Sequence, residues 1–129
     1  MLLNISQHSA LTLQEQIIEQ IRTRIFRDEL AGDQALTSIR ALSKDLRVGV
    51  NTVQRAYEHL LREELIYARA GKGFFVTPLK PTDIAEKTQQ RFTEALQNLL
   101  NEARREGLSG GNMQQIFEQL NTAAEDGNA

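Results

Sequence analysis

Apolar residues return at helical intervals in several separate stretches of this chain, and between two groups of them the period changes. Over residues 11–29, Leu13, Ile17, Ile18, Ile21 and Ile25 recur at helical spacing while Gln, Glu and Arg fill the rest, which predicts a first amphipathic helix. Residues 1–10 have no period and predict a loose lead-in. Leu30-Ala31-Gly32-Asp33 supplies a glycine stop, and a connection should run through Thr37. Ser38 can then cap a short second helix, with Ile39, Leu42 and Leu46 inward and Arg40, Lys44 and Arg47 facing elsewhere. After Arg47-Val48-Gly49, the residues Val53, Ala56, Tyr57, Leu60 and Leu61 give a third helix one continuous apolar face, reaching Arg62. Its opposite side carries Asn51, Arg55 and Arg62, with Thr52 and Gln54 on the flanks near its start.

Beyond Glu64 the spacing turns to that of strands. Leu65-Ile66-Tyr67-Ala68-Arg69 predicts a strand, Ala70-Gly71-Lys72-Gly73 a turn and Phe74-Phe75-Val76-Thr77 the returning strand, which together make a hairpin, or wing. A short helix, a tight turn containing glycine and a longer helix with a polar outer face make a helix-turn-helix arrangement, and the hairpin follows it directly. Past Pro78 and Pro81 helical spacing resumes in Ile84, Thr88, Phe92, Ala95, Leu96, Leu99 and Ala103, from about residue 82 to 106. Gly107, Gly110 and Gly111 break it, and a last helix near residues 112–124 carries Met113, Ile116, Phe117, Leu120 and Ala124. Residues 125–129 should fray. The expected fold is α+β and mostly α: a winged helix-turn-helix of three helices plus a hairpin in residues 1–78, then a short two-helix arm in residues 79–129.

Two arm helices cannot close a core alone, so their apolar faces need either the first domain or a second copy of the chain. The second copy is favoured, with Phe92, Leu96, Leu99, Leu100, Met113, Ile116, Phe117 and Leu120 as the dimerisation residues. Packing within one chain and exchange between protomers both remain open.

Composition narrows the chemistry. With no cysteine, and with His8 and His59 as the only histidines, no disulfide, thiolate or metal cluster is expected, and no cofactor. No phosphate loop, serine-histidine-acid arrangement or paired carboxylates suggests an enzyme. The absence of a long apolar run or a basic-then-hydrophobic N-terminus points to a cytoplasmic protein with no membrane partner. A net charge of −2 argues at first against a polyanionic partner. However, residues 1–78 hold ten Lys/Arg against nine Asp/Glu and residues 79–129 five against eight, so the cations gather with the helix-turn-helix. On that basis Asn51, Thr52, Gln54 and Arg55 are candidates for base edges or adjacent phosphates of double-stranded DNA. Arg40, Lys44 and Arg62 would hold phosphates, and Arg69, Lys72 and Gly73 would place the wing against a sugar-phosphate rail.

Taken together, the first helix, Ser38-Ile39-Arg40-Ala41-Leu42, Asn51-Thr52-Val53-Gln54-Arg55-Ala56-Tyr57 and Gly71-Lys72-Gly73-Phe74-Phe75-Val76 resemble the GntR family of bacterial transcription regulators. The Asn51–Tyr57 run and the short arm look most like its YtrA-type subgroup. The resemblance covers residues 10–78 by motif and the remainder by length and helical character. It implies a homodimer that binds a palindromic operator, usually as a repressor, with the arm serving dimerisation in place of a large ligand-binding domain. By resemblance Arg40 matches a DNA-contacting arginine, Thr52 and Gln54 fall on contact positions, and Lys72 and Gly73 fall on the wing tip that enters the minor groove. Thr37 stands where the family usually has proline, and Arg47 and Gly49 replace the usual turn glycine and the polar cap of the recognition helix. Val50 stands where many members carry a guanine-reading arginine, which implies an operator unlike the common one. Two other classes compete: a winged-helix protein–protein interaction module, and a sensor with an unknown small-molecule effector between arm and winged domain.

Overall fold

Helix α1 (Leu13–Phe26) starts where Thr12 can cap it, its Oγ1 accepting a hydrogen bond from the Glu15 amide at 3.1 Å. The computed structural model describes residues 1–127. In it α1 ends at Phe26 and does not continue to residue 29, because Asp28 takes a φ of 58° and the Glu29 and Leu30 amides return to the Arg24 carbonyl. An aspartate, tolerant of the left-handed region, performs the stop expected of Gly32. Gly32 is needed elsewhere: a Cβ there would lie 2.8 Å from both Cα and Cβ of Pro78. The glycine therefore lets the chain leaving the wing pass close by.

The lead-in is not loose. Leu3 is buried, and Met1 and Ile5 pack against the core. Two α1 side chains satisfy its backbone much as a neighbouring strand would. Gln16 accepts from the Ser6 amide at 2.7 Å and donates to the Ser6 and Leu11 carbonyls, while Gln20 accepts from the Asn4 amide and donates to its carbonyl.

Helix α2 (Ile39–Leu46) begins at Ser38, whose Oγ accepts from the Ala41 amide at 3.1 Å. It ends on Arg47, a non-glycine residue at φ 55° and ψ 45°. Ser43 donates to the Val48 carbonyl and so pins the turn. Helix α3 (Val50–Arg62) then starts from Gly49 without a side-chain cap. A left-handed arginine is strained relative to glycine. Arg47→Gly is expected to raise the unfolding free energy by roughly 0.5–1 kcal/mol, the left-handed penalty less glycine's extra unfolded-state freedom. Urea denaturation checks this, and a lower stability would mean that the arginine side chain holds the turn.

Strands β1 (Ile66–Arg69) and β2 (Gly73–Val76) pair antiparallel, Ile66 opposite Val76 and Arg69 opposite Gly73. Gly73 thus belongs to the returning strand, and the turn is Ala70-Gly71-Lys72, with Gly71 at φ 73°. The connection before α2 adds a short third edge: Ala35 pairs with Phe75, and Leu36 donates to the Phe74 carbonyl at 2.9 Å. The core joins α1, α2, α3 and the wing through the fully buried Ile17, Ile21, Leu42, Val53, Tyr57, Leu60, Leu65 and Val76. An Arg22–Glu63 ion pair also ties α1 to the end of α3.

The winged unit runs from Met1 to Lys80, and Leu79 still packs on its core. The second unit begins at Pro81, as helix α4 (Pro81–Arg105) followed by α5 (Gly110–Gly127). Gly107, at φ 95°, stops α4, and the Leu108 amide returns to the Ala103 carbonyl. Ser109 then caps α5, accepting from the Asn112 amide at 3.1 Å, so α5 starts at Gly110 and not near residue 112, and Gly110 and Gly111 belong to it and not to the break after α4. Residues 125–127 are helical and not frayed, while residues 128–129 fall outside the described residues. No described residue of α4 or α5 is buried.

Candidate nucleic-acid interface

The two sides of α3 differ sharply. Val53, Ala56, Tyr57 and Leu60 have no solvent exposure, while Asn51, Gln54, Arg55, Glu58 and Arg62 are exposed and Thr52 is half-buried. Arg40 and Lys44 are exposed on α2, and Arg69, Lys72 and Gly73 on the wing. Among the described residues no carboxylate pairs with Arg40, Lys44, Arg55, Arg62 or Lys72. Their charge is therefore available to an anion in solution.

One acidic group shares the outer face of α3. Glu58 accepts a hydrogen bond from Gln54 Nε2 at 3.2 Å, one helical turn away. Gln54 keeps its amide oxygen and its second Nε2 hydrogen for other partners. Sequence reading did not single out Glu58, although its four-residue offset from Gln54 was the available signal.

Tyr57 holds these elements together. Its ring meets Phe74 of β2 edge-on at 5.1 Å, and its hydroxyl donates to the Thr37 carbonyl, just before the Ser38 cap of α2. One buried side chain on α3 thereby fixes both the wing and the entry to the helix that carries Arg40. Burial pushes the Tyr57 hydroxyl well above its ordinary pKa, so it stays a donor across the physiological range.

The outer face of the wing has its own support. Tyr67 and Phe75, opposite each other in the ladder, stack at 5.6 Å. Arg69, two residues from Tyr67 and so on the same face, sets its guanidinium 5.4 Å from the Phe75 ring and 5.9 Å from that of Tyr67. Tyr67 donates to Asp33 Oδ1 at 2.7 Å, and this acceptor raises the Tyr67 pKa. The wing cation is thus held on an aromatic platform braced from the α1–α2 connection. Sequence reading named Arg69 but not its supports, which depend on strand register.

In the arm, the candidate dimerisation residues divide. Phe92, Leu99 and Leu120 are 56%, 61% and 67% exposed, and Ile116 and Phe117 are about half exposed. Leu96, Leu100 and Met113 are partly covered. Between α4 and α5 lies an open apolar groove of about 530 Å³, lined by Leu96, Leu100, Ala103, Met113, Ile116 and Phe117 among others. Among the described residues there is no cluster of metal-ligating side chains and no helix long and apolar enough to cross a membrane.

Known proteins share this layout. The chain is 28% identical over 113 residues to the uncharacterized HTH-type transcriptional regulator YhcF of Bacillus subtilis, covering 87% of this chain and 89% of YhcF. It is 27% identical over 107 residues to the HTH-type transcriptional repressor YtrA of the same organism, covering 83% and 82%. Among solved structures, YtrA from Sulfolobus acidocaldarius, a GntR-family transcription factor, superposes with a TM-score of 0.57 at 27% identity, over 71% of this chain and 97% of that one. The family described as bacterial regulatory proteins, gntR family, matches residues 13–76, from the first residue of α1 to the last of β2. With the helix-turn-helix, the wing and the short two-helix arm in that order, the chain belongs to the gntR family of bacterial regulatory proteins, as a YtrA-type member.

Proposed function

We propose that this regulator binds a palindromic DNA operator as a homodimer and acts there as a repressor. The observation that carries this reading is the two-sided α3, fully buried on one side and polar, cationic and uncovered on the other. Asn51, Thr52, Gln54 and Arg55 meet base edges or adjacent phosphates in the major groove, each good bidentate base contact giving about 1–3 kcal/mol of discrimination. Arg40, Lys44 and Arg62 hold phosphates and set register, while Arg69, Lys72 and Gly73 seat the wing. A small effector plays no part in this reading.

Dimerisation follows from the arm. A row of large apolar side chains on two helices with no buried residue is covered most simply by the same row of a second copy, in an isologous contact. Repression is supported by likeness to YtrA, which is described as a repressor. The cytoplasm is the compartment in which such a regulator meets DNA. Sedimentation of the protein alone and with a duplex from upstream of its own gene, together with a promoter–reporter fusion, tests the proposal. Two chains per duplex and a reporter that rises when the gene is deleted support it, whereas one chain per duplex or a reporter that falls would overturn it.

A further inference from the structure

Val50 stands out on α3. It is the first residue of the helix and is 46% exposed, whereas the other valine one turn further on, Val53, is fully buried. The row that Val53 continues into the core runs off the end of that core at Val50. Among the described residues of the winged unit the other exposed large apolar side chains, Leu2 and Leu11, lie in the lead-in ahead of α1. Space around the helix start is open: apart from its two chain neighbours, nothing lies within 4 Å of where a Cβ on Gly49 would sit, and no side chain caps the helix. Its neighbours Asn51 and Thr52 are the polar residues assigned above to base edges.

In a helix-turn-helix, the N-terminal residues of the recognition helix reach base edges. A valine there has no donor or acceptor, and one major-groove feature matches an apolar group: the C5 methyl of thymine. We propose that Val50 is a specificity-determining residue that reads a thymine methyl in each operator half-site. This inference rests on the proposed DNA-binding mode of α3 and names one base feature that this mode selects. Adenine, guanine and cytosine present no such methyl, so they leave the exposed isopropyl group against water or a polar edge.

Uracil differs from thymine by that methyl alone, which makes the test direct. The full-length protein is used to select duplexes from a randomised pool, and each thymine of the recovered half-site is then replaced by uracil in turn. At one thymine per half-site the replacement is expected to weaken binding about 3- to 5-fold, the effect of one buried methyl. Val50→Ala, which removes the two terminal methyl groups and also favours helix, should narrow the difference between the thymine and uracil duplexes, while Asn51→Ala should keep it. If the protein selects a sequence but no uracil replacement weakens it, or Val50→Ala stays as sensitive as the wild type, the assignment of Val50 is wrong and the DNA-binding mode stands. If no sequence is selected at low salt, both fall together.

Discussion

Deleting residues 81–129 should leave a winged unit that still unfolds cooperatively but binds its operator roughly 10²- to 10⁴-fold more weakly, the loss expected when a second half-site is no longer tethered. The unit should fold because every buried apolar residue among the described residues, from Leu3 to Val76, lies within it. Its affinity should fall because its charge is nearly balanced, ten cations against nine anions through residue 78, so one copy gains little from phosphates alone. Circular dichroism and a gel shift on the truncated chain separate the two effects. An intact fold with undiminished affinity would show that a single copy suffices and that the apolar stripe of the arm serves something else. The same logic holds for Leu99→Glu in the full chain, which places a charge in the exposed stripe without shortening the protein.

The largest effect on stability is expected at Tyr57. Tyr57→Ala removes a fully buried ring, its edge-on contact with Phe74 and its hydrogen bond to the Thr37 carbonyl. The loss should be about 3–5 kcal/mol, against a total stability of roughly 4–12 kcal/mol for a unit of this size. Tyr57→Phe separates the hydroxyl from the ring and should cost about 1–3 kcal/mol, since it leaves a buried carbonyl without its donor. The pH dependence has a definite sign. Burial raises the hydroxyl's pKa in the folded state, so above about pH 10 the unfolded chain gives up this proton while the folded chain keeps it. The contribution is whole below that pH and is lost as pH rises further. Denaturation midpoints measured from pH 7 to 11 should therefore fall at the alkaline end more steeply for the wild type than for Tyr57→Phe. Parallel profiles would mean that the hydroxyl is not buried as described.

Periodicity made much of the winged unit legible before its structure. The apolar rows of α1 and α3 each bury one side, as their spacing implies, and Ser38 caps α2 because its hydroxyl can accept an amide that the helix leaves unpaired. What escaped were features set by contacts distant in sequence. The lead-in is fastened by Gln16 and Gln20, residues that a helical wheel places merely as polar. Asp28 and Arg47 adopt left-handed backbones where glycine was the natural expectation, and Gly32 is required by Pro78, 46 residues away.

Around the candidate interface the same division holds. Exposure of Arg40, Gln54, Arg55 and Lys72 follows from their spacing opposite buried residues or at a turn. The Asp33–Tyr67–Arg69–Phe75 assembly depends on strand register and on a connection whose pairing with β2 has no local signal. Val50 depends on where the core stops, which periodicity alone cannot locate.

The most direct measurement is a titration of the purified protein, of known oligomeric mass, against the DNA upstream of its own gene at about 50 and about 200 mM salt. Arg40→Ala and Gln54→Ala are measured alongside the wild type. A dimer reading two half-sites through α3 predicts a steep loss of affinity with salt. Arg40→Ala should weaken all sequences alike and flatten the salt dependence, and Gln54→Ala should relax preference between operator and scrambled duplex. Absence of binding at the lower salt, or binding by Gln54→Ala with undiminished preference, would contradict the assignment of α3 as the reading element.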